Sequence, residues 1–259
     1  MKRWEFTGEE KTVLGITLKR IRAVVTFTMK CGIKIEAGEN GGWIEKEENL
    51  SDNAWVSDNA WVSGNAWVSD NAWVCGNAWV SGNAWVSGNA WVCGNAWVCG
   101  NAWVCGNARV PGNARVSGNA RVSDNARVSG NARVSDNAWV PGNAWVSDNA
   151  WVSGDAWVSG NARVCGNAWV CGNARVCGDA NYLQIGPAGS RNDYTTFTRD
   201  KSGTIYVSCG CFFGTIAEFR RKVKKTHGNN KHAKVYLAAA DLAELQIDTT
   251  PIENEPKES

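Results

Sequence analysis

Between residues 51 and 182 the chain repeats a six-residue pattern of polar and hydrophobic positions, in the order Ser/Cys, Gly/Asp, Asn, Ala, Trp/Arg, Val. The pattern runs through 22 consecutive units, of which the last is degenerate. A period of six matches neither the helix period of about 3.6 residues nor the repeats of coiled coils. It equals three cycles of the β alternation. Each unit therefore predicts a short strand, Ala-Trp/Arg-Val-Ser/Cys, followed by a Gly/Asp-Asn corner.

Alternation along each strand sends Ala and Val to one side, and Trp or Arg together with Ser or Cys to the other. Ala and Val are the aliphatic residues of the repeat, so we expect them to face inward. Gly and Asn tolerate positive φ, which a sharp corner requires. Three units then close a three-sided coil of 18 residues, and successive coils pair in parallel about 4.8 Å apart. The 132 residues of the repeat predict about seven coils.

Within the repeat, an aliphatic residue is followed four positions later by a small one, as in Val56 with Ala60 and onward to Val176 with Ala180. In this feature the chain resembles the hexapeptide-repeat family, and its NAWV and NARV units look like those of uncharacterised phage and bacterial proteins. The resemblance implies a left-handed parallel β-helix, which in that family is often a trimer. The alternative is a disordered Gly/Asn-rich tract, but disorder does not keep a strict alternation over so many units.

The segments that flank the repeat predict smaller units. Residues 12–27 are typical of a hairpin, and we expect residues 1–50 to form a β-rich cap that blocks the open strand edges of the first coil. Ile44 and Leu50 already lie in register with Val56. The stretch from 20 to 51 resembles the start of an uncharacterised hexapeptide family of bacteria and their phages. The predicted fold class is thus an all-β solenoid with this cap and a small C-terminal α+β module.

The C-terminal module is predicted at residues 183–248, with a disordered tail at 249–259. Segments 194–197 and 204–211 read as a β-hairpin around Asp200-Lys201-Ser202-Gly203. Thr215 to Glu218 is a capping box that opens a helix ending near 227–228, and a second helix runs from about 231 to 245. This ββαα arrangement resembles a module of phage-encoded proteins without a known function.

Because three units make one coil, every third outward residue lies on the same face, and each face carries a Trp stack, then Arg, then a mixture. Offset stacking of the rings, with Arg over a neighbouring ring, would make these ladders structural. Alternatively the fourteen outward Trp form a sticky surface, because they expose more apolar area than a monomer normally shows. We therefore expect a homo-oligomer, with a trimer favoured. The candidate interface residues are Trp55, Trp61, Trp67, Trp73, Trp79, Trp85, Trp91, Trp97 and Trp103.

Two further groups of residues suggest chemistry. Cys209 and Cys211 with His227 and His232 give a weak zinc signal, but Ile205, Val207 and the two cysteines fall on one strand face, so a core role is simpler and no metal is expected. Cysteines in the Ser position of the repeat read as small replacements for Ser, and of these Cys75 and Cys93 stack in adjacent coils on one face.

A group of polar and basic residues in the C-terminal module is a candidate site for a small anionic ligand. The alternative is that these residues only face solvent. They are Ser190, Arg191, Asn192, Arg220 and Arg221, with Lys222, Lys224 and Lys225 nearby.

Charge and hydropathy limit the classes of partner. The formal net charge of +2 gives no whole-chain argument for duplex nucleic acid or an anionic membrane. No apolar run reaches the roughly 18 residues of a membrane span, and the N-terminus lacks the apolar region of a secretory signal. We therefore expect a protein of the bacterial host cytoplasm with reduced cysteines.

Three functions remain in competition. The leading hypothesis is a non-enzymatic scaffold or interaction protein, phage-encoded, with the β-helix as a rigid oligomerisation core. The alternative is a sponge-like protein that sequesters a nucleotide or another anionic small molecule of host defence. An acyltransferase is the third option, but the repeat contains no His between residues 51 and 182 and no loop insertion, so general-base catalysis has no obvious agent. No catalytic residue and no cofactor are expected.

Overall fold

The structure is a computed structural model that describes residues 2–51, 53–177, 182–190 and 192–251. The chain begins with an N-terminal cap made of five strands and one 3₁₀ turn, Glu47–Asn49. The strands of the cap are β1 (Trp4–Val13), β2 (Ile16–Ala23), β3 (Phe27–Thr28), β4 (Lys34–Ile35) and β5 (Asn40–Ile44). The hairpin that the sequence predicted within 12–27 therefore starts earlier, because the chain turns at Leu14-Gly15, where both residues adopt positive φ.

Above the cap, each Trp-Val or Arg-Val dipeptide of the repeat forms one short strand of a three-sided parallel β-solenoid. The strands β6 to β26 are, in chain order, Trp55–Val56, Trp61–Val62, Trp67–Val68, Trp73–Val74, Trp79–Val80, Trp85–Val86, Trp91–Val92, Trp97–Val98, Trp103–Val104, Arg109–Val110, Arg115–Val116, Arg121–Val122, Arg127–Val128, Arg133–Val134, Trp139–Val140, Trp145–Val146, Trp151–Val152, Trp157–Ser159, Arg163–Val164, Trp169–Val170 and Arg175–Cys177.

The predicted register is confirmed. Every third strand pairs in parallel with its partner 18 residues later, so that Trp55 lies opposite Trp73 and Val56 opposite Val74. The strands sort into three faces, which we name by their first strand: the first face starts at β6, the second at β7 and the third at β8. The predicted all-β solenoid of about seven coils with a C-terminal module is confirmed. Its left-handed sense remains a prediction that rests on the resemblance.

Valine and alanine fill the interior, as the alternation predicted. From Ala54 to Val176, every described Val and Ala of the repeat is at most 2% exposed. Backbone hydrogen bonds join the coils, for example from the amide of Trp55 to the carbonyl of Ala72 at 3.1 Å. Burial of small aliphatic side chains is non-directional, so these inter-coil hydrogen bonds fix the register.

The corners differ from the prediction in how Asn is used. Positive φ falls on the Gly or Asp of each unit whose corner is described, as at Gly76 (φ 70°) and Asp58 (φ 58°), and not on the Asn that follows. The Asn side chains instead form ladders along the corners, where Asn83 Nδ2 donates to Asn101 Oδ1 at 3.0 Å, one coil further on. The carboxylate of Asp58 accepts a hydrogen bond from the amide of Gly76 at 2.9 Å. Polar corner residues therefore add bonds between coils.

Both ends of the solenoid are covered. In the cap, β2 pairs with β5 antiparallel and β5 pairs with β7 in parallel, so the cap sheet continues into the second face. Ile44 lies opposite Val62, and Leu50 forms a bridge with Val68. At the other end, the amide of Trp169 donates to Thr196 Oγ1 of the C-terminal module at 3.3 Å. These contacts occupy edge groups that would otherwise be free to pair with other chains.

The C-terminal module has four strands before its two helices, where the sequence predicted two. The elements are β27 (Tyr182–Ala188), β28 (Asp193–Arg199), β29 (Ile205–Cys209), β30 (Phe212–Thr215), α1 (Ile216–His227) and α2 (Lys231–Gln246). The strands pair antiparallel in chain order, and Arg199 of β28 also pairs with Arg175, which joins the module to the third face. Phe197, Val207 and Phe219 lie in its buried core. Neither of the described helices is long and apolar enough to cross a bilayer.

Candidate functional site: tryptophan ladders, arginine belt and basic groove

The outward tryptophans form stacked ladders. On the second face Trp61 and Trp79 have ring centroids 4.6 Å apart, and Trp79 and Trp97 are 4.9 Å apart with planes 4° from parallel. On the third face Trp67, Trp85 and Trp103 stack at 5.2 and 4.8 Å. These distances are close to the separation of strands in a parallel sheet, so rings one coil apart stack with a small offset. The predicted ladders are confirmed.

The Ser position of the repeat has a function that the sequence analysis missed. The indole Nε1 of Trp73 donates to Ser57 Oγ at 2.9 Å, and Trp85 donates to Ser69 Oγ at 3.1 Å. Each acceptor lies 16 residues before the ring, on the preceding coil. Trp157 has Pro141 at that position, and its buried Nε1 has no hydrogen-bond partner among the described residues. The Nε1 atoms of Trp97 and Trp103 also lack a partner there, although Ser residues lie 16 positions before them, so the bond is common along the repeat without being universal. Once the coil length is known, the 16-residue spacing of Ser and Trp would have indicated these bonds.

The three faces differ in how much of their Trp ladder is accessible. Trp55 is fully buried, because Phe27 of the cap packs edge-on against its ring at 5.6 Å. The expectation that Trp55 belongs to an interface with another molecule is therefore wrong. Trp67 is 44% exposed, and no aromatic ring or cation of the described cap residues lies over it. The third face thus presents a three-ring stack whose first ring is open to solvent.

The other candidate interface residues, Trp61, Trp73, Trp79, Trp85, Trp91, Trp97 and Trp103, are half-buried in their stacks. Further along the solenoid, Trp145 and Trp151 are 37% and 40% exposed, although the sequence analysis did not select them. Exposure therefore depends on the neighbours above and below each ring, which a single unit of the repeat does not show.

An arginine belt surrounds the middle of the solenoid and consists of Arg109, Arg115, Arg121, Arg127 and Arg133. Arg109 lies opposite Arg127 on the first face, and Arg115 lies opposite Arg133 on the second. The guanidinium of Arg115 lies 5.3 Å from the ring of Trp97, and that of Arg127 lies 5.3 Å from Trp145. Within the part of the chain that the structure describes, these two like-charged pairs have no carboxylate within 4.0 Å. The belt is thus a concentration of positive charge in which four of the five guanidinium groups lie over tryptophan rings, those of Arg109, Arg115, Arg121 and Arg127.

The C-terminal module carries an open groove of about 430 Å³, which we call the basic groove. It is lined by Phe212, Phe213, Glu218, Arg221, Lys222 and Lys225. The N-terminus of α1 forms one end, where Thr215 Oγ1 accepts a hydrogen bond from the Glu218 amide and Glu218 Oε2 accepts one from the Thr215 amide. These bonds to Thr215 lower the pKa of Glu218. Aromatic rings beside three cations suit an anionic ligand with an apolar part.

The predicted anion-binding residues do not converge on one site. Arg221 lines the basic groove, whereas Arg220 forms ion pairs with Asp241 at 2.7 Å and Glu244 at 2.8 Å on α2. Arg220 therefore ties the two helices together, and its predicted role in ligand binding stays a prediction. Ser190 Oγ lies 3.5 Å from His227 Nε2 at the other end of α1.

Of the two predicted residues that follow Ser190, the structure describes one. Asn192 occupies a turn with φ 48° before β28. Arg191 lies outside the described residues. The basic groove instead draws on Phe212, Phe213 and Lys225, which the sequence analysis did not bring together because the strand β30 was not foreseen.

The cysteines are arranged as follows. Cys75 and Cys93 share the first face in adjacent coils, as predicted. Cys209 ends β29, but Cys211 is exposed in the turn before β30 because Gly210 reverses the chain with φ 59°. The expectation that both belong to one strand face is therefore wrong. The described residues contain no group of three His, Cys, Asp or Glu side chains close enough to bind a metal ion.

Comparisons with known proteins concern the repeat. The YdcK beta solenoid repeat family matches residues 78–94, 114–130, 126–142 and 156–172, which together make up about a quarter of the chain. All four segments lie in the solenoid, so the chain carries β-solenoid repeats of this kind. No curated protein matches the chain.

A solved structure that is similar to this chain is the acetyltransferase domain of PglB from Neisseria gonorrhoeae FA1090 in complex with acetyl coenzyme A. The sequences are 15% identical, and the similarity covers 53% of this chain and 55% of that chain with a TM-score of 0.20. We draw no conclusion about function from this likeness.

Proposed function

We propose that the chain is a non-enzymatic scaffold whose solenoid is a rigid core for self-association, and that copies meet through the third face at Trp67, Trp85 and Trp103. The observation that carries the proposal is the open ring stack on this face, which begins with the 44% exposed Trp67. Contiguous exposed aromatic surface of this kind is typical of protein interfaces.

The partner we propose is a second copy of the same chain. The third face carries one tryptophan ring per coil. Rings on a partner can pack against each of these rings only if they have the same separation, and the third face of another copy has that separation. The first face is covered at its start by Phe27, and the second continues into the cap sheet through Trp43. The third face is therefore the ladder whose beginning is free for another copy.

The lack of His in the repeat supports a role without acyl-transfer chemistry, because His is the side chain that most often acts as a general base. The C-terminal module stands at the end of the last coil, so an oligomer would present several copies of it. We further propose, from the resemblance of the repeat and both flanking segments to phage-encoded proteins, that the protein acts in a bacterial cytoplasm.

Light scattering of the purified chain tests the association. We expect the mass to be a multiple of 28.0 kDa, three-fold for the favoured trimer. The triple variant Trp67→Arg, Trp85→Arg, Trp103→Arg should return the mass to that of one chain. Arg is the residue that the repeat itself uses at these positions, so the coils should still form.

The matched control is Trp151→Arg on the second face, where the ring is 40% exposed. It should leave the oligomer intact. A wild-type mass equal to a single chain at micromolar concentration would contradict the proposal, and so would dissociation by the control variant alone.

The basic groove favours a second candidate function, the binding of an anionic small molecule such as a nucleotide. Phe212 and Phe213 offer rings for stacking, and Arg221, Lys222 and Lys225 offer charge. The test is to equilibrate the protein with a nucleotide mixture, remove the unbound pool, denature the protein and identify what is released.

A retained nucleotide should be lost in Lys225→Glu, which lines the groove. It should be kept in Lys224→Glu, which lies on the same helix but is not part of the groove lining. If the wild-type protein releases nothing, this second function is excluded and the scaffold proposal is unaffected.

A further inference from the structure

Cys75 and Cys93 are adjacent across one step of the solenoid on the first face. The strands before them pair in register, Trp73 with Trp91 and Val74 with Val92. The ladder continues past the cysteines, since the Cys75 amide donates to the carbonyl of Val92 at 2.9 Å. Neighbouring positions in such a ladder lie about 4.8 Å apart, which falls within the Cα separation that a disulfide requires.

The two thiols have different surroundings. Cys75 is 7% exposed, and its Sγ accepts a hydrogen bond from Trp91 Nε1 at 3.2 Å. Cys93 is half-buried and lines a small pocket of about 120 Å³ with Trp91, Arg109, Pro111 and Arg127. This volume is sufficient for a small polar molecule. Cys93 is therefore the more accessible member of the pair, and Cys75 lies beside it on the preceding coil.

The pocket favours the ionised form of Cys93. The adjacent Cys75 thiol and the charge of Arg127 lower the pKa of Cys93, against the effect of its burial. The hydrogen bond between the Cys75 and Cys93 side chains, together with burial, raises the pKa of Cys75. A thiolate beside arginine is the nucleophilic form of cysteine, whereas a buried thiol is unreactive until a partner is available.

Two other cysteines of the same repeat provide a comparison. Cys99 and Cys105 are also half-buried at the Ser position. Burial raises the pKa of both. Their neighbours one coil away are serines, Ser81 and Ser117 for Cys99 and Ser87 and Ser123 for Cys105. Neither has a second thiol within reach on its ladder.

We propose that Cys75 and Cys93 are a peroxide-reactive dithiol, in which Cys93 is the attacking residue, Cys75 the resolving residue, and the pocket between Arg109 and Arg127 admits a small hydroperoxide. The outcome is a disulfide that joins two successive coils on the first face. The proposal does not depend on the third face, because the two thiols and the pocket lie on another side of the solenoid.

The oxidation takes place in two steps. The Cys93 thiolate attacks one oxygen of the hydroperoxide, so an S–O bond forms, the O–O bond breaks, and the leaving alkoxide or hydroxide takes a proton from water. The Cys75 thiol then attacks the sulfenic sulfur, forming the S–S bond and releasing hydroxide, which leaves as water with the Cys75 proton. Two thiols lose two electrons in total, and the hydroperoxide is reduced to an alcohol or to water.

The experiment uses the full chain with hydrogen peroxide as the probe. The protein is treated with one equivalent, the peroxide is removed, the protein is denatured, free thiols are alkylated, and the protein is cleaved with trypsin. No Lys or Arg lies between Lys46 and Arg109, so Cys75, Cys93, Cys99 and Cys105 stay in one tryptic peptide. We expect this peptide to carry two alkyl groups instead of four and to regain four after reduction.

Single Ser variants assign the bond, because Ser is the repeat's own residue at these positions and the coils should fold normally. Cys93→Ser and Cys75→Ser should abolish the disulfide, while Cys99→Ser and Cys105→Ser should preserve it. Cys75→Ser should leave a sulfenic acid on Cys93 that a dione reagent traps. Without peroxide, Cys93 should react with iodoacetamide at pH 7 about ten-fold faster than Cys99.

Three results would overturn the proposal. Four alkyl groups on the wild-type peptide after peroxide treatment would show that no disulfide forms. Persistence of the bond in Cys93→Ser would show that a different pair reacts. A rate at Cys93 equal to that at Cys99 would likewise remove the assigned difference between attacking and resolving thiols.

Discussion

The solenoid and the C-terminal module place large side chains on opposite sides of their backbones. In the solenoid, Val and Ala are inside and the indoles stack outside, so each coil contacts the next through the same few atoms. In the module, Phe197, Phe219 and Tyr236 form the interior. Stability in the first case is a sum of similar steps between neighbours, whereas in the second it depends on a single cluster. The two regions should therefore fail differently when residues are removed.

The largest expected effect is the loss of the module core in Phe219→Ala. The ring of Phe219 is 3% exposed and meets Phe197 edge-on at 5.9 Å and Tyr236 at 5.8 Å. Removing it should cost about 3 to 5 kcal/mol of the module's unfolding free energy. Helical circular dichroism reports the module, and Trp fluorescence reports the cap and solenoid because the last Trp is Trp169.

In Phe219→Ala the helical signal should be lost at a lower denaturant concentration than in wild type, while the midpoint of the fluorescence transition should not change. Leu245→Ala is the control, because this side chain is 85% exposed and its removal should change neither transition. Equal shifts in both signals would show that the module and the solenoid unfold as one unit.

The next largest effect is expected from a substitution at a corner of the solenoid. Gly94 has φ 73°, and a Cβ there would lie 2.9 Å from the carbonyl oxygen of Gly112 on the next coil. Gly94→Ala should therefore cost about 2 kcal/mol, from the left-handed backbone and the contact together. The fluorescence transition should move to lower denaturant, and the helical transition should not.

Gly94→Asp provides the matched comparison for this corner. The repeat itself uses Asp at such positions with a Gly one coil above, where Asp124 Oδ2 accepts from the Gly142 amide at 2.8 Å. The Asp variant should recover about 1 kcal/mol relative to Ala through the equivalent bond to Gly112. If Ala and Asp destabilise equally, the carboxylate bonds contribute nothing to joining the coils.

A smaller effect is expected in the Asn ladder. Asn101 accepts from Asn83 at 3.0 Å and donates to Asn119 at 2.9 Å. Asn101→Ala removes both bonds and should cost about 1 kcal/mol because the ladder is exposed to water. Asn101→Asp keeps the acceptor and loses the donor, so its cost should lie between wild type and Ala. Denaturant titration followed by fluorescence measures the unfolding free energy of both variants. If Asn101→Ala leaves this free energy unchanged, the Asn ladder does not contribute to stability.

The smallest effect is a pH dependence of the module alone. The pKa of Glu218 is lowered in the folded state by the bonds to Thr215. The stabilisation is therefore present above the ordinary carboxyl pKa and is lost as pH falls through the lowered folded value. The helical melting temperature should drop over that window more in wild type than in Glu218→Gln, which does not titrate. Identical pH profiles would contradict the assignment.

Much of the solenoid could be predicted because a strict hexad determines both which side faces in and which residues stack. Val56 and Ala60 are inside, and Trp61 meets Trp79 one coil later, as the period requires. The helix α1 could also be placed, because Thr215 to Glu218 is a local capping signal and Gly228 ends the helix. Such features depend on residues that are close in sequence or separated by a constant interval.

The remaining features depend on contacts without a fixed interval. Trp55 is buried by Phe27, which belongs to a cap of irregular sequence. Arg220 is neutralised by Asp241 and Glu244 only because α1 and α2 pack together. The strand β27 was missed because its Gly186-Pro187 is a turn signal in sequence. Predicting each of these features requires knowledge of the tertiary arrangement, so the candidate site was predicted less well than the fold.

The constant interval of 18 residues has a consequence for how such a chain can change length. Adding or deleting three hexads would lengthen or shorten the solenoid by one full turn and leave the module attached to the same side. Adding a single hexad would rotate the residues beyond the insertion by a third of a revolution about the solenoid axis, so that the module would join a different side. Duplication within the repetitive gene could thus alter either reach or orientation without any new side-chain chemistry.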